Sequence, residues 1–179
     1  MTNYEMTKKY VLTGGPGNGK STIIEILNSK GVYTIDEAAN YFIKEQQRNG
    51  GNILPWRDKH AFQMSVFEIQ SKWEKEIPAS IEKAVLDRGI PDGIAYYHVY
   101  DLSPPRELVE AAKNAKYESV FLVEPLKELE ITETRRENRP LQIKIHNAIK
   151  NVYEDLGYDL IKVPVMEKEA RAKYILGRI

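Results

Sequence analysis

Residues 14–21 read Gly-Gly-Pro-Gly-Asn-Gly-Lys-Ser. They sit between a short apolar run, Tyr10-Val11-Leu12-Thr13, and a segment from Ser21 to Lys30 in which Ile23, Ile24 and Leu27 share one helical face before Gly31. The spacing G-x-x-x-x-G-K-[ST] between a buried strand and a helix demands a strand that ends in a tight loop and turns directly into a helix. Gly14, Gly15, Gly17 and Gly19 carry no Cβ, so the backbone can bend sharply and bring its N–H groups close to an anion. Pro16 and Asn18 complete the loop. The loop opens a helix, whose free N–H groups and dipole favour phosphate. Lys20 is placed to bridge the outer phosphates of a nucleoside triphosphate, Ser21 to put its hydroxyl on a magnesium ion, and Thr22 to reach the innermost phosphate.

The rest of the chain repeats the strand-then-helix rhythm. Val32–Ile35, Ala84–Leu86, Val120–Val123 and Asp159–Val163 read as further strands. Ala38–Arg48, Asp58–Ile77, Asp92–Tyr100, Arg106–Ala115, the stripe Leu141 to Leu156 and Glu167–Ile179 read as helices. Within Asp58–Ile77, Phe62, Val66, Ile69, Trp73 and Ile77 fall four, three, four and four residues apart on one apolar helical face, and Pro78 ends it. Strands alternating with helices predict an α/β, three-layer fold: a five-stranded parallel sheet with helices on both faces. The 179 residues suit one domain spanning 1–179. The charged stretch around 126–141 reads as a small arginine-bearing lid.

Composition narrows the function. Lys plus Arg and Asp plus Glu each total 26, so the basic excess of a non-specific nucleic-acid binder is missing. There is no cysteine, which excludes disulfides, thiolate metal sites and a thiol nucleophile. His60, His98 and His146 form no ligand motif. The first nine residues are polar and no run reaches membrane-spanning length, so a soluble cytoplasmic protein without a signal peptide is expected.

Further candidates follow the other strands, where parallel sheets hold their ligands. Asp87, after Ala84-Val85-Leu86, is expected to support magnesium with Ser21. Arg88 can pair with that carboxylate or hold an acceptor's oxygens. Asp36 and Glu37 can orient or deprotonate an acceptor hydroxyl, or simply begin a helix. If the charged stretch is helical, Arg135 and Arg139 share a face while Arg136 is neutralised by Glu133, so that pair is expected to meet phosphate. Tyr96, Tyr97, His98 and Tyr100 crowd one helix; core packing is favoured over ring stacking, as for Trp56 and Trp73.

These residues together resemble the AAA-type ATP-binding domain family, small P-loop proteins that include the kinase half of bifunctional bacterial ribosylnicotinamide kinase. The likeness runs from about Tyr10 to the C-terminus. It is carried by the glycine loop, Glu37-Ala38-Ala39, Asp87-Arg88-Gly89-Ile90-Pro91-Asp92 with Ala95-Tyr96, Arg135, Tyr153-Glu154-Asp155-Leu156-Gly157-Tyr158 with Val163-Pro164, and Arg171-Ala172. Asn40 stands where relatives often carry an arginine, and the stretch before Arg135 lacks their aspartate-glycine. The resemblance implies a P-loop NTPase fold and a phosphotransferase using ATP (or GTP) and Mg2+ on a nucleoside- or vitamin-like acceptor. In that role Lys20, Asp87, Glu37, Arg135 and Arg139 act on the transferring phosphate, and Asp36, Glu37, Arg88 and Asp92 contact the acceptor. Two other readings stay open: a nucleotide switch or simple NTPase, and a polynucleotide 5′-kinase. The expected partners are a nucleoside triphosphate, a small-molecule acceptor and, as an option, a second copy of the chain, with no membrane.

Overall fold

The apolar runs pair into a sheet and the amphipathic stretches cover it. The computed structural model describes residues 7–126 and 138–179. Within them the order is β1 (Lys8–Thr13), α1 (Lys20–Ser29), β2 (Tyr33–Ile35), α2 (Ala38–Asn49), α3 (Lys59–Lys75), β3 (Lys83–Asp87), α4 (Ile90–Val99), α5 (Arg106–Asn114), β4 (Ser119–Val123), α6 (Arg139–Asp155), β5 (Leu160–Val163) and α7 (Lys168–Leu176). The strands line up as β2-β3-β1-β4-β5, every neighbouring pair parallel. The predicted five-stranded parallel sheet is what forms.

Strand alternation divides the core between the two faces. Tyr10, Leu12, Val85, Phe121, Val123 and Val163 pack with Ile23, Ile24 and Leu27 of α1 and Ala172 and Ile175 of α7. Val11, Leu86 and Val120 point the other way, onto Ile94, Leu108 and Ile145 of α4, α5 and α6. A smaller cluster of Phe42, Ile43, Leu54 and Phe62 joins α2 to α3. Because β1 lies at the centre and the chain departs from it to both sides, the loop after β1 falls where a parallel sheet opens a crevice at its carboxyl edge.

Two helix starts differ from the sequence reading. α4 begins at Ile90, two residues before the expected Asp92, because Asp92 Oδ2 accepts from the Gly89 N–H at 3.2 Å and Pro91 occupies the first turn, where a missing N–H costs nothing. α6 begins at Arg139: Asn138 is extended (φ −78°, ψ 169°) and its Oδ1 caps the Leu141 N–H at 3.1 Å. The helical face expected to join Arg135 to Arg139 involves residues outside the described ones. Arg135, Arg136 and the greater part of the lid expected at about 126–141 lie outside the described residues.

Candidate active site

The loop between β1 and α1 bends as its glycines require. Gly14, Gly17 and Gly19 have φ of 127°, 73° and 81°. A Cβ on Gly14 would stand 2.7 Å from the Val123 carbonyl oxygen, and one on Gly15 2.8 Å from that of Gln142. Gly14→Ala therefore meets both a forbidden backbone region and a rigid neighbour. It is expected to cost at least about 2 kcal/mol in urea unfolding.

Side chains far away in sequence brace the loop from behind. Asn18 is fully buried; its Nδ2 donates to the Val123 carbonyl at 2.8 Å and its Oδ1 accepts from Gln142 Nε2 at 2.9 Å. Gln142 Nε2 also donates to the Pro16 carbonyl at 2.6 Å. The Gly15 N–H donates to His146 Nδ1 at 3.2 Å, which fixes the imidazole proton on Nε2. Burial, the largest influence, lowers the His146 pKa and favours this neutral acceptor form. Arg171 of α7, only 2% exposed, ties three segments together: it donates to the carbonyls of Asn18 (2.7 Å), Pro164 (3.0 Å) and Glu124 (3.1 Å). Asn18 thus braces the loop with its side chain, leaving its backbone as the group that can face a phosphate.

The front of the loop carries the charges. Lys20 Nζ donates to the Gly14 and Gly15 carbonyls at 3.1 and 2.9 Å. At the end of β3, directly beside β1, Asp87 Oδ2 accepts from Ser21 Oγ at 2.9 Å. Asp87 is 1% exposed, and its Oδ1 is buried with no hydrogen-bond partner among the described residues. Burial, with a further push from Glu37, raises the Asp87 pKa to about 6 despite Lys20, Arg88 and Ser21, which pull it down. An orphaned carboxylate oxygen next to the loop serine fits a hydrated magnesium ion, whose water ligands would supply the missing donors. Thr22 follows Ser21 in the first turn of α1 and is partly buried.

Arg88 joins this region to a second cavity. It holds φ at 77°, a left-handed backbone unusual for a non-glycine residue. Its N–H donates to the Leu12 carbonyl at 2.9 Å, and its own carbonyl accepts from Gln70 Nε2 at 3.2 Å. The turn aims the guanidinium inward: Nε donates to Glu37 Oε1 at 2.7 Å, and Nη1 to Asp92 Oδ1 at 2.9 Å and the Gly14 carbonyl at 3.0 Å. Asp92 also accepts from Thr13 Oγ1 and Tyr153 OH, both at 2.7 Å, so its carboxylate is spent on positioning Arg88 and opening α4. The cavity is partly open to solvent. Pro16, Glu37, Arg88 and Asp92 line its inner end; Phe62, Val66, Phe67, Tyr96 and Tyr100 line its apolar walls.

The structure therefore gathers Gly14–Ser21, Asp87, Glu37, Arg88 and Asp92. It leaves out Asp36, which is exposed and lines a separate surface depression with Tyr33 and Trp73; the acceptor role expected of Asp36 is corrected on that ground, since successive residues at a strand end face opposite sides. Arg139 is engaged by the Leu126 carbonyl (2.6 Å) and Gln142 Oε1 (2.9 Å), so it braces the residue that braces the loop. Tyr97 is core, bonded to His60 Nδ1 at 3.0 Å, whereas Tyr96 and Tyr100 line the cavity, against the expectation of packing alone. Trp56 and Trp73 pack against the core clusters as expected. Sequence reasoning missed Gln142 and His146, which carry no motif; their three- and four-residue offsets from Arg139 and Gln142 place them on one face of α6, and that spacing was the available signal.

Comparisons with known proteins add a family and a fold. A family model described as AAA domain matches residues 9–171. No curated protein sequence matches the chain. Deoxyadenosine kinase from M. mycoides, solved with dCMP and a flexible dCDP bound, is similar with a TM-score of 0.63 at 16% identity, covering 95% of this chain and 97% of that one. Thymidylate kinase from Candida albicans is similar with a TM-score of 0.68 at 15% identity, covering 96% and 90%. The NadR protein, solved in complex with NAD and AMP-PNP, is similar with a TM-score of 0.69 at 12% identity; the match covers 98% of this chain and 51% of NadR, so the chain spans about half of that protein. At such identities these likenesses establish the fold.

Proposed function

The chain belongs to the AAA domain family, and from that premise we propose that it is an ATP- and magnesium-dependent phosphotransferase acting on the hydroxyl of a small, nucleoside- or vitamin-like molecule. One observation carries the reading: the phosphate loop and a partly open, largely apolar cavity share a wall. Pro16 lines that cavity, and Arg88 bonds both the Gly14 carbonyl and Glu37. A nucleotide switch has no use for a second small-molecule cavity opening on the phosphates. The structural neighbours named as deoxyadenosine and thymidylate kinases, and NadR with its AMP-PNP, are consistent with ATP or a similar triphosphate in the loop.

In this reading the loop amides and Lys20 hold the β- and γ-phosphates, exchanging the Gly14 and Gly15 carbonyls for phosphate oxygens at Nζ. Ser21 and Asp87 would hold magnesium, which supplies charge neutralisation along the phosphates. Glu37, oriented by Arg88, receives the proton of the acceptor hydroxyl as that oxygen bonds the γ-phosphorus and the bond to the β-γ bridging oxygen breaks. From the family resemblance, Arg135 is the residue expected to neutralise the transferred group. A cytoplasmic location would give access to ATP and magnesium, and among the described residues no helix is long and apolar enough to cross a membrane.

Incubation with ATP, magnesium and a metabolite extract tests the proposal. A product heavier by one phosphoryl group supports it; ATP hydrolysis with no phosphorylated metabolite overturns it. Lys20→Ala is expected to weaken ATP binding by at least about 100-fold, because it removes the ammonium of the phosphate loop. Calorimetric titration with ATP measures this, and near-normal affinity in a folded Lys20→Ala protein would refute the assignment.

A further inference from the structure

The turn that ends β3 carries the guanidinium of the candidate site, and its backbone is held by side chains from α3 and the approach to β4. Arg88 is left-handed at φ 77°, a conformation that a residue with a Cβ keeps only when its surroundings impose it. Its N–H donates across the sheet to the Leu12 carbonyl at 2.9 Å. The peptide group joining Arg88 to Gly89 is fixed at both ends. Its oxygen accepts from Gln70 Nε2 at 3.2 Å, and its N–H donates to Asp92 Oδ2 at 3.2 Å. A Cβ on Gly89 would stand 2.7 Å from Tyr153 OH and 3.0 Å from Tyr117 OH, so side chains pack directly against the turn.

Three of the groups around the turn form a circuit. Gln70 and Glu74 are four residues apart on one face of α3, 4% and 8% exposed. Glu74 Oε1 accepts from Gln70 Nε2 and from Tyr117 OH, both at 3.0 Å, while its Oε2 accepts from Lys9 Nζ at 2.8 Å. Tyr117 OH in turn accepts from the Ile90 N–H at 3.0 Å. One carboxylate therefore grips the turn twice: at the Arg88 carbonyl through Gln70, and at the Ile90 N–H through Tyr117. A carbonyl can only accept, so the nitrogen of the Gln70 amide must face Arg88. What the circuit sets is the backbone from which the arginine side chain starts. From there Nε reaches Glu37 Oε1 at 2.7 Å and Nη1 reaches the Gly14 carbonyl at 3.0 Å. A return of Arg88 to the ordinary negative φ redirects its Cα–Cβ bond and breaks both contacts.

We propose that Gln70 is a positioning residue: with Glu74 and Tyr117 it holds the left-handed turn at Arg88, and through it the guanidinium between Glu37 and the phosphate loop. The kinetic consequence rests on the phosphotransferase reading; the structural one does not. Gln70 also lines the cavity, so direct contact with the acceptor is the rival role that the test must separate.

The test uses the full chain and has two arms. Gln70→Met keeps length and helix preference but has no amide, so the turn loses its hold at the Arg88 carbonyl. In the first arm, kcat for phosphoryl transfer from ATP to a panel of ribo- and deoxyribonucleosides is expected to fall at least about 10-fold, with the KM for ATP within about 2-fold and that for the nucleoside within about 3-fold. In the second, nuclear magnetic resonance follows exchange of the Arg88 Nε–H with solvent, the signal being assigned by its displacement in Glu37→Gln. Exchange is expected to quicken at least about 10-fold in Gln70→Met below its melting transition. Tyr117→Phe removes a single hydroxyl and opens the other arm of the circuit; it should lower kcat about 2- to 5-fold in the same pattern, and it decides the matter if Gln70→Met does not fold. A lower melting temperature with both readouts unmoved overturns the inference. So does a rise in the nucleoside KM alone, which would make Gln70 an acceptor contact, and so does a fall in kcat with Arg88 Nε–H exchange unchanged. Faster exchange in both variants, with no phosphoryl transfer by the wild type, upholds the positioning role and overturns the phosphotransferase reading instead.

Discussion

Replacing Asp87 with asparagine is expected to stabilise the ligand-free protein near neutral pH and to cut magnesium-dependent turnover by at least about two orders of magnitude. Both effects have one cause. Asp87 is sealed from water with one oxygen bonded to Ser21 and the other without a partner among the described residues, so its charged form is held at a cost. The rise from the ordinary 3.8 to about 6 corresponds to about 3 kcal/mol at most, and asparagine, which keeps an acceptor for Ser21, should recover about 1–3 kcal/mol. The sign follows from linkage: a carboxyl whose folded-state pKa lies above its unfolded value favours folding below about pH 3.8 and loses that contribution as pH rises through about 6. The advantage of Asp87→Asn should therefore vanish at low pH and be full above about pH 6, as read by urea titrations across that window. A variant equally stable with the wild type at both ends would mean that Asp87 is not strained. Magnesium-dependent activity that survives in it would remove the metal role.

Arg88→Met is expected to destabilise the protein by about 3–5 kcal/mol and to abolish turnover, because it removes a buried guanidinium charge that two buried carboxylates share. Glu37 and Asp92 are 9% and 3% exposed and share this one guanidinium. Lysine cannot replace it: one ammonium cannot serve Glu37, Asp92 and the Gly14 carbonyl in the planar fork that Nε and Nη1 provide. Adding Glu37→Gln to Arg88→Met should recover part of the stability but none of the activity, a coupling that a double-mutant cycle reads directly. Additive losses would show that Arg88 and Glu37 are not an ion pair in solution.

Much of this protein is legible without coordinates. The glycine loop, set between an apolar run and an amphipathic helix, dictates strand, bend and helix, because no other arrangement seats those glycines and bares those amides. Alternation of short β-branched runs with helical stripes then requires a parallel sheet, and the acidic residue closing the run Ala84-Val85-Leu86 must lie at its carboxyl edge. What sequence could not decide is which polar residues turn inward. The apolar stripe of α3 at Phe62, Val66, Ile69 and Trp73 implied that the neighbouring polar positions met solvent; instead Gln63, Gln70 and Glu74 are among the most buried residues of that helix. Glu74 is buried against Lys9 and Tyr117 from β1 and the approach to β4, at 2.8 and 3.0 Å, and those partners are 65 and 43 residues away in the chain. Likewise, position alone left Asp36 and Glu37 equivalent as adjacent acids after β2; the resemblance of Glu37-Ala38-Ala39 favoured Glu37, and the ion pair with Arg88 at the end of β3 is the contact that brings it into the site. Periodicity reports which face of an element is apolar; whether a polar group is buried depends on a partner brought across the fold, and the strand order β2-β3-β1-β4-β5 is what brings it.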